Sequence, residues 1–509
     1  MVKNDLEDFG IEDFEDTYDR ELMANTRPAG WRNPTPHAPY HLVVIGAGPA
    51  GLIAARTAAK LGARVALVER DSLGGDSLHY ASVPTKALIR TSRNYADMRG
   101  ALNFGAGAPT DMSIDFELAM DRVRRIRARI SRANSAQRLV ELGVDLFFGA
   151  ARFLGTDSID VDGVRLQFRK AMIATGSRPK EVDIPGLQEC GFMHAKEGFK
   201  LTTLPKSVLV IGGGPGGCEA AQMLARLGVR TTIVMAESLF LPGEERDAAH
   251  TVSDALARDG VEIHLNTRAT AVRMEGSSKV VDLANGGDVM SIAVDAIFVG
   301  TGRAAMIEGL GLDVAGVAAT PEKGVLVDDF LRTSNPRVYA AGDVCLAHKF
   351  TTTAHASGQL VVRNALFPGR KRMTSLIVPW CTYTDPEIAH VGLHVRKARE
   401  RGIPVKTFTV LMHDVDRAVV DGEDSGFVKI HVREGSDRIL GATIVARHAG
   451  EMINELSLAM GAGIGLRKLA QVMRAYPTQA EAIRMAADNY NDTRLTPVCR
   501  WVFHKWLHR

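Results

Sequence analysis

Two glycine-rich loops, each set between a buried strand and a helix, constrain this chain more than any other feature of its sequence. The first loop runs from Gly46 to Gly51 after the apolar run 41–45, and the next strand ends at Glu69, 18 residues beyond the last glycine. The loop contains the glycines Gly46, Gly48 and Gly51. Glycines at this spacing permit a tight turn and let the backbone approach a pyrophosphate, whose charge the helix N-terminus stabilises. The closing acid accepts hydrogen bonds from the adenosine ribose. The segment therefore predicts a Rossmann-like dinucleotide site.

The same pattern occurs again later in the chain. The apolar strand 207–211 leads into a second glycine loop, and the strand that follows ends at Met235, where an acid would bind the ribose 2'-hydroxyl of NAD. Without that acid the 2'-phosphate of NADPH meets no direct repulsion, yet no arginine follows, and Glu237 could replace the acid. The pattern slightly favours NADPH as the second nucleotide, and NADH stays an alternative. The predicted ligands of the second nucleotide are Gly212, Gly214, Gly217, Met235 and Gly302.

Composition excludes several classes of function. A chain of 509 residues with 46% hydrophobic and 24% charged residues has room for about three domains, and a net charge of +3 gives no reason to expect nucleic acid as a partner. No apolar run approaches the roughly 18 residues of a membrane span, and the acidic N-terminus is unlike a signal peptide, so we expect a cytoplasmic or matrix-like location. The five cysteines show neither a CxxC motif nor metal-ligand spacing, which predicts neither disulfides nor a metal site.

The segment from Gly74 to Lys86 carries a resemblance to a known family. It reads Gly-Gly-Asp-Ser-Leu-His-Tyr-Ala-Ser-Val-Pro-Thr-Lys. Its frame resembles the redox-active segment of the class I pyridine nucleotide-disulfide oxidoreductases, Gly-Gly-x-Cys-(x)4-Cys-x-Pro-x-Lys, a family that includes dihydrolipoamide dehydrogenase, glutathione reductase and mercuric reductase. Both cysteine positions of that frame are serines here, Ser77 and Ser82.

Further motifs, which occur in the same order as in the family, extend the resemblance from about residue 40 to residue 495. The sequences of these motifs are most similar to those of the mercuric-reductase-like branch. The resemblance implies an α/β fold with two Rossmann-like domains, one for FAD and one for NAD(P), and a C-terminal α+β dimerisation domain that makes a homodimer. The predicted domains are an acidic and Pro-rich extension over 1–39, an FAD domain over 40–180 and 305–370, an NAD(P) domain over 181–304 and an interface domain over 371–509.

The resemblance also implies roles for single residues. Lys86 and Glu219 would pair beside the reactive nitrogen of the flavin, and Asp343 would accept hydrogen bonds from its ribityl chain. Tyr476 stands where the family has a histidine that the partner subunit supplies as a proton shuttle, followed by Glu481. The predicted FAD ligands are Gly46, Gly48, Gly51, Glu69, Lys86, Thr175, Gly176, Gly342 and Asp343, and the predicted catalytic residues are Lys86, Glu219, Tyr476 and Glu481.

The two serines decide the predicted chemistry, because a hydroxyl is far less acidic than a thiol and forms no S–S bond. We therefore predict an enzyme that takes hydride from NADH or NADPH onto FAD and passes electrons directly to a small-molecule acceptor: a quinone, a metal or dye, the other nicotinamide nucleotide, or oxygen. Two rivals stay open, namely the mercuric or disulfide reductase activity of relatives, and a non-catalytic FAD-binding redox sensor. A further hypothesis is that His79, Tyr80 and Tyr476 make a new acceptor site.

Three other segments give expectations about packing. The extension over 1–39 either lies on the body of the protein or forms a solvated tail. The arginine run 122–132 is typical of a solvated helix face. The final stretch 496–509 predicts an amphipathic helix, which is expected to dock on its own domain, with contact to an anionic membrane surface as the alternative.

Overall fold

The first Rossmann-like domain follows an N-terminal helix that packs on it. The computed structural model describes residues 14–37, 39–107 and 113–508, so most of the acidic run, within residues 1–13, lies outside the described residues. The elements are α1 Phe14–Thr26, β1 Tyr40–Ile45, α2 Pro49–Lys60, β2 Val65–Glu69, α3 Gly75–His79, α4 Ser82–Arg99, α5 Phe116–Ser131, α6 Ala136–Glu141, β3 Val144–Phe148, β4 Ala151–Phe153, β5 Ser158–Val161, β6 Val164–Ile173 and β7 Ser177–Pro179.

The sheet of this domain has the order β3-β2-β1-β6, all parallel, and the first half of β6 continues antiparallel into β5 and β4. Successive side chains of a strand point to opposite faces. Leu42 and Val44 accordingly belong to one apolar core, and Val43 and Ile45 to the core on the other face. Helices cover one face of the sheet, and the β4–β5 hairpin lies on the other. The loop after β1 lies at the carboxyl edge of the parallel strands, which is where dinucleotides bind in such folds.

The second Rossmann-like domain is inserted after β7. Its elements are α7 Leu187–Cys190, α8 Ala195–Gly198, β8 Ser207–Ile211, α9 Pro215–Arg226, β9 Arg230–Val234, α10 Arg246–Arg258, β10 Glu262–His264, β11 Thr267–Glu275, β12 Ser278–Asn285, β13 Asp288–Val294, β14 Ala296–Val299 and β15 Arg303–Ala305. A parallel sheet has the order β10-β9-β8-β14, and β11-β12-β13 form an antiparallel sheet. Strand β15 pairs with β7, which joins the two domains.

The chain then returns to the first domain. Its elements there are β16 Ala319–Thr320, β17 Gly324–Val325, β18 Val338–Ala340 and α11 Thr351–Leu366. Strand β18 adds to the first sheet parallel to β6. Helix α11 packs closely on α2 at Gly358. Any larger residue there would place a Cβ in overlap with the carbonyl oxygen of Ala50, so the close contact requires glycine.

The C-terminal domain is a five-stranded antiparallel sheet of order β19-β20-β23-β22-β21 with helices packed on it. Its elements are β19 Pro379–Thr382, β20 Glu387–Gly392, α12 Val395–Glu400, β21 Val405–Leu411, α13 Asp416–Asp421, β22 Phe427–Arg433, β23 Ile439–Ala446, α14 Ala449–Gly461, α15 Leu466–Leu469, α16 Glu481–Asp492 and α17 Pro497–Leu507. Short 3-10 turns lie at Ala101–Phe104, Arg132–Asn134, Gly342–Val344, Met373–Ser375 and Met412–Asp414. The predicted fold class is confirmed, whereas the residue boundaries of the domains stay predictions.

Two expectations about packing are wrong. Helix α17 buries none of its residues on the chain, so it does not dock on its own domain within the described residues, and Trp506 is 67% exposed. Arg127 on α5 is largely buried rather than solvated, with a carboxylate oxygen of Asp19 at 3.9 Å. Its partner lies on α1, more than a hundred residues earlier, which no local pattern indicates. In the described part of the chain, no helix combines the length and apolar character needed to cross a membrane.

Candidate active site

One cavity of about 1900 Å³ connects the two glycine loops with the segment that carries the two serines. Its wall includes residues of both Rossmann-like domains and of the first strand of the C-terminal domain. Pockets for a single small ligand are roughly 300–1000 Å³. The cavity is therefore large enough for two dinucleotides to meet inside one site.

The first loop has the geometry of a pyrophosphate site. Gly46 adopts φ +101°, and a Cβ at Gly51 would overlap the carbonyl oxygen of Gly46, so both positions need glycine. A Cβ at Gly48, by contrast, would meet no protein atom within 4 Å. Gly48 is also the N-cap residue directly before α2, so open space lies where the helix N-terminus can stabilise a phosphate.

Glu69 lies at the end of β2 and holds this loop by hydrogen bonds. Its carboxylate accepts the backbone N–H of Ala47 at 2.7 Å and that of Asp71 at 2.8 Å. Burial raises the pKa of Glu69, and these two bonds counteract part of the rise. A buried carboxylate with few partners gains from further donors, and the hydroxyls of an adenosine ribose would supply them.

The second loop repeats this arrangement with one difference. A Cβ at Gly217 would overlap the carbonyl oxygen of Gly212, while one at Gly214 would meet no protein atom within 4 Å. Met235 is buried, and its side chain fills the space beside Gly213. The side chain of Met235 therefore forms a wall of the loop rather than a polar ribose contact.

Arg268 is a cavity-lining residue that sequence reasoning missed. Strand β11 brings it next to the end of β9, where the N–H of Thr267 donates to the carbonyl of Met235 at 2.9 Å. Glu237 lines the same part of the cavity. No arginine directly follows Met235 in the sequence, but Arg268 comes 33 residues later and lies near Met235 in space.

Lys86 and Glu219 meet inside the cavity. The Lys86 Nζ lies 2.7 Å from the Glu219 Oε2, although the two residues belong to α4 and α9 of different domains. The backbone N–H of Tyr383 donates to the other carboxylate oxygen at 2.8 Å, and Lys86 Nζ lies 4.6 Å from the centre of the Tyr383 ring. All three domains thus contribute to this pair.

Ser77 and Ser82 stand on either side of the break between α3 and α4. Both hydroxyls lie within hydrogen-bonding distance of the Thr351 Oγ1, Ser77 at 3.2 Å and Ser82 at 2.9 Å. Thr351 is the first residue of α11 and was not singled out from the sequence, because 269 residues separate it from Ser82. The three side chains form a hydroxyl cluster at the cavity wall.

Asp343 lies on the cavity wall in a polar network. The Ser177 hydroxyl donates to Asp343 Oδ2 at 2.6 Å and accepts from Arg303 Nε at 2.7 Å, and Arg303 pairs with Asp76. Gly342, directly before Asp343, has φ +75°.

Three further predicted ligands lie on the cavity wall nearby. The Thr175 hydroxyl donates to the carbonyl oxygen of Met306 at 2.7 Å, and Gly176 and Gly302 adopt φ +77° and +108°. The Thr175 hydroxyl proton is therefore used within the protein, which leaves the backbone of this stretch to contact a ligand.

Comparison with known proteins assigns the family. Residues 40–359 match the family described as pyridine nucleotide-disulphide oxidoreductase, and residues 378–487 match its dimerisation domain. The chain belongs to this oxidoreductase family. It is therefore an FAD-dependent pyridine nucleotide oxidoreductase that uses FAD and NAD(P)H, and the second match supports a homodimer.

Several members of the family are similar over nearly their whole length. A mercuric reductase of Streptomyces lividans is 31% identical over 459 residues, covering 89% of this chain and 97% of that protein. A dihydrolipoyl dehydrogenase of Thermus scotoductus is 32% identical over 465 residues, covering 88% and 97%. Among solved structures, the HOCl-induced flavoprotein disulfide reductase RclA of Escherichia coli has a TM-score of 0.79 at 28% identity, covering 88% of this chain and 99% of that one. LpdA of Mycobacterium tuberculosis has a TM-score of 0.80 at 26% identity with the same coverage.

Two predicted catalytic residues of this oxidoreductase lie away from the cavity of their own chain. Tyr476 is 70% exposed, and its hydroxyl donates to Asp416 Oδ2 at 2.9 Å, an interaction that raises the pKa of Tyr476. Glu481 accepts a hydrogen bond from Arg484 at 2.6 Å. Neither residue approaches Lys86 within one chain, so any catalytic role for them requires the partner subunit of the dimer.

The segment residues His79 and Tyr80 differ in what they offer a ligand. His79 is buried, its ring nitrogen Nε2 lies 3.0 Å from the carbonyl oxygen of Leu73, and burial lowers its pKa. Tyr80 lines the cavity with the Lys196 Nζ 5.3 Å from its ring centre. Both residues line the cavity, but His79 is only 6% exposed and anchors the segment, whereas Tyr80 is less buried and has a lysine beside its ring.

Proposed function

We propose that this enzyme transfers electrons from NAD(P)H through FAD directly to an external acceptor, with no dithiol relay. The observation that carries the proposal is the hydroxyl cluster of Ser77, Ser82 and Thr351. The two serines occupy the positions at which the segment 74–86 resembles the family's cysteine pair. Hydroxyl groups cannot store two electrons as a dithiol and release them as a disulfide.

The remaining cysteines offer no substitute for that pair. All five are free thiols. Burial raises the pKa of Cys345 to about 12 and also raises the pKa of Cys218 and Cys381, which keeps these thiols protonated and poorly nucleophilic. Cys381 lines the cavity but has no thiol partner there among the residues that the structure describes.

The overall reaction balances without a thiol. NAD(P)H loses a hydride, a quinone-type acceptor gains two electrons and two protons, and the second proton comes from solvent. FAD, when bound, supplies the two-electron carrier between them. Lys86 places a positive charge, held by Glu219, where negative charge develops during hydride transfer, and such a preorganised charge lowers the barrier.

The hydroxyl cluster favours one class of acceptor. Hydroxyl groups donate hydrogen bonds to carbonyl oxygens, which suits a quinone. A soft metal ion such as mercuric ion prefers thiolate ligands, which the cluster lacks. We therefore propose a quinone-like acceptor ahead of the mercuric or disulfide reductase activity for which several relatives are named.

Steady-state assays with matched acceptors test the proposal. Reduction of a soluble benzoquinone should proceed with NADH or NADPH and should survive alkylation of the protein by iodoacetamide. Lipoamide, glutathione disulfide and Hg(II) should be poor acceptors. The ratio of kcat/KM for the two nucleotides identifies the donor.

The variant with both Ser77→Cys and Ser82→Cys is the matched control. It restores the family's frame, so its activity should gain a component that iodoacetamide abolishes after reduction. A wild-type protein that reduces disulfides or Hg(II) faster than quinone, or that loses quinone activity on alkylation, would contradict the proposal. A protein that NADH and NADPH both fail to reduce would favour the redox-sensor alternative.

A further inference from the structure

The N-terminal segment 17–37 lies on the body of the protein, although it precedes residue 40, where the match to the family begins. Leu22 of α1 is 2% exposed and packs in one apolar cluster with Leu78 of α3 and Ala128 of α5. The backbone N–H of Leu73 donates to the carbonyl of Thr26 at 3.0 Å. This segment therefore contacts the stretch that leads into the two serines.

Polar contacts fix the same helix along α5. Asn25 donates to the Ser131 hydroxyl at 2.9 Å, and Arg132 makes a two-point ion pair with Glu21. Such bidentate arginine contacts set orientation as well as affinity. The docking of α1 is thus specified by both apolar and charged groups.

Arg27, directly after α1, reaches the adenosine end of the first nucleotide site. Its Nη1 donates to the carbonyl oxygens of Arg70 at 2.9 Å and Asp71 at 2.7 Å. These carbonyls follow Glu69, the acid that the Rossmann pattern assigns to the adenosine ribose. Arg27 and Met23 line the same cavity as Glu69.

The tract after Arg27 is anchored at the end of β3. The Asn33 side chain makes two hydrogen bonds to the backbone of Phe148: its Nδ2 donates to the carbonyl oxygen at 2.9 Å, and its Oδ1 accepts from the N–H at 2.8 Å. Trp31 packs edge-on against the Phe148 ring with 5.5 Å between ring centres, and the Arg27 guanidinium lies 4.5 Å from the centre of the same ring. Arg27 is therefore held in position before any ligand arrives.

We propose that residues 17–37 complete the FAD site as a latch at its adenosine end, with Arg27 and Met23 forming the outer wall. A guanidinium plane stacks well on aromatic rings, and a methionine side chain packs against ring edges. Within the described residues, the Nη2 and Nε of Arg27 make no hydrogen bond, so these donors are available to adenosine. The latch slows the loss of FAD, and this role is independent of which acceptor the enzyme reduces.

Release of FAD from the holoenzyme tests the latch without any turnover. The protein is diluted into flavin-free buffer, and the rise in fluorescence of the released flavin gives the rate. Arg27→Ala should release FAD about tenfold faster, since it removes two charge-assisted hydrogen bonds and the wall they hold. Arg27→Lys should be intermediate, because it keeps the charge without the planar group. Arg32→Ala is the matched control, an exposed arginine of the same tract, and should release FAD at the wild-type rate.

Leu22→Ala distinguishes two reasons for faster FAD release: the loss of a direct contact with adenosine and a general loss of stability. It removes a buried side chain of α1 that does not line the cavity, so it should lower the Tm more than Arg27→Ala does while speeding FAD release less. Wild-type release by Arg27→Ala would overturn the proposal. Release rates that follow the Tm across the four variants would also overturn it, because the effect would then be a loss of overall stability.

Discussion

At the scale of single residues, the Lys86–Glu219 pair holds a buried carboxylate in the cavity. The Glu219 side chain is only 7% exposed, and its carboxylate has two partners, the Lys86 ammonium and the Tyr383 N–H. Breaking a largely buried ion pair leaves an uncompensated charge, which costs more than the pair itself contributes. The pair also joins helices of both Rossmann-like domains, so it couples the two domains across the cavity.

Lys86→Met should slow the reduction of FAD by NAD(P)H about 10-fold to 100-fold, because it removes the positive charge from the reaction site. It should also lower the free energy of unfolding by about 2 kcal/mol, since Glu219 stays buried without its cation. Stopped-flow absorbance and denaturant unfolding measure the two effects.

The double variant Lys86→Met with Glu219→Gln is the control for that prediction. A neutral amide at position 219 removes the stranded charge, so stability should recover while the slow reduction of FAD remains. Wild-type reduction rates in the single Lys86→Met variant would show that the ammonium has no part in hydride transfer.

Gly214→Ala and Gly217→Ala should separate ligand binding from folding. A Cβ at Gly214 meets no protein atom, so this variant should fold and retain FAD but raise the KM for NAD(P)H about tenfold or more. A Cβ at Gly217 overlaps the carbonyl of Gly212, so that variant should be unstable to heat. Thermal unfolding and steady-state kinetics give both readouts, and equal KM values for Gly214→Ala and wild type would exclude the loop as the nucleotide site.

At the scale of elements, a buried charged cluster joins α10 of the second domain to the sheet of the C-terminal domain. Glu245, directly before α10, lies 3.7 Å from His431 Nε2, 3.4 Å from His394 Nδ1 and 3.8 Å from Lys429 Nζ. Burial alone would raise the pKa of Glu245, but these neighbours bring it to about 2. Lys429 also pairs with Asp247.

Acidification should weaken this junction. Burial lowers the pKa of His431 to about 4, against about 6.5 in an unfolded chain. The folded state therefore binds fewer protons than the unfolded state in this window, so stability is full above pH 6.5 and falls as the pH drops from 6.5 to 4, by about 3 kcal/mol. His431→Gln, which can still bond Thr407, should flatten this part of the profile of unfolding free energy against pH.

His413→Gln is the control for the pH profile, because His413 is largely exposed. It should leave the dependence between pH 4 and 6.5 unchanged. A profile for His431→Gln that parallels the wild type would mean that other groups cause the acid sensitivity.

The sequence predicted those parts of the site that depend on local motifs. Gly46 and Gly212 adopt the positive φ angles that their turns need, and Lys86 meets Glu219 because each directly follows a motif that fixes its direction. Arg27 and Thr351 could not be predicted, since tertiary packing alone brings them to the cavity from distant parts of the chain.

The failed expectations have the same physical origin. Arg127 of α5 was expected to be solvated, but Asp19 of α1 pairs with it across more than a hundred residues. An amphipathic pattern such as that of α17 indicates that a helix has an apolar face, but it does not indicate what covers that face.

At the scale of the whole molecule, α17 should be dispensable for the fold of the subunit. It buries no residue on its own chain, so removal of residues 496–509 should change the Tm by less than about 2 °C. Removal from residue 481 onward is the contrasting variant, because α16 buries Ala482, Ile483, Ala486 and Ala487 and its loss should prevent folding. A large fall in Tm with the short truncation, together with loss of the dimer on size exclusion, would show that α17 packs on the partner subunit.

The measurement that tests the central claim most directly is an anaerobic titration of the FAD-loaded protein with NADH and, separately, NADPH, followed by flavin absorbance. A direct-transfer enzyme should be fully bleached by two electrons per FAD, that is by one NAD(P)H, with no long-wavelength band from a thiolate beside the flavin. Uptake of four electrons per FAD, or the appearance of such a band, would contradict the account, because either result requires a redox-active dithiol in the site.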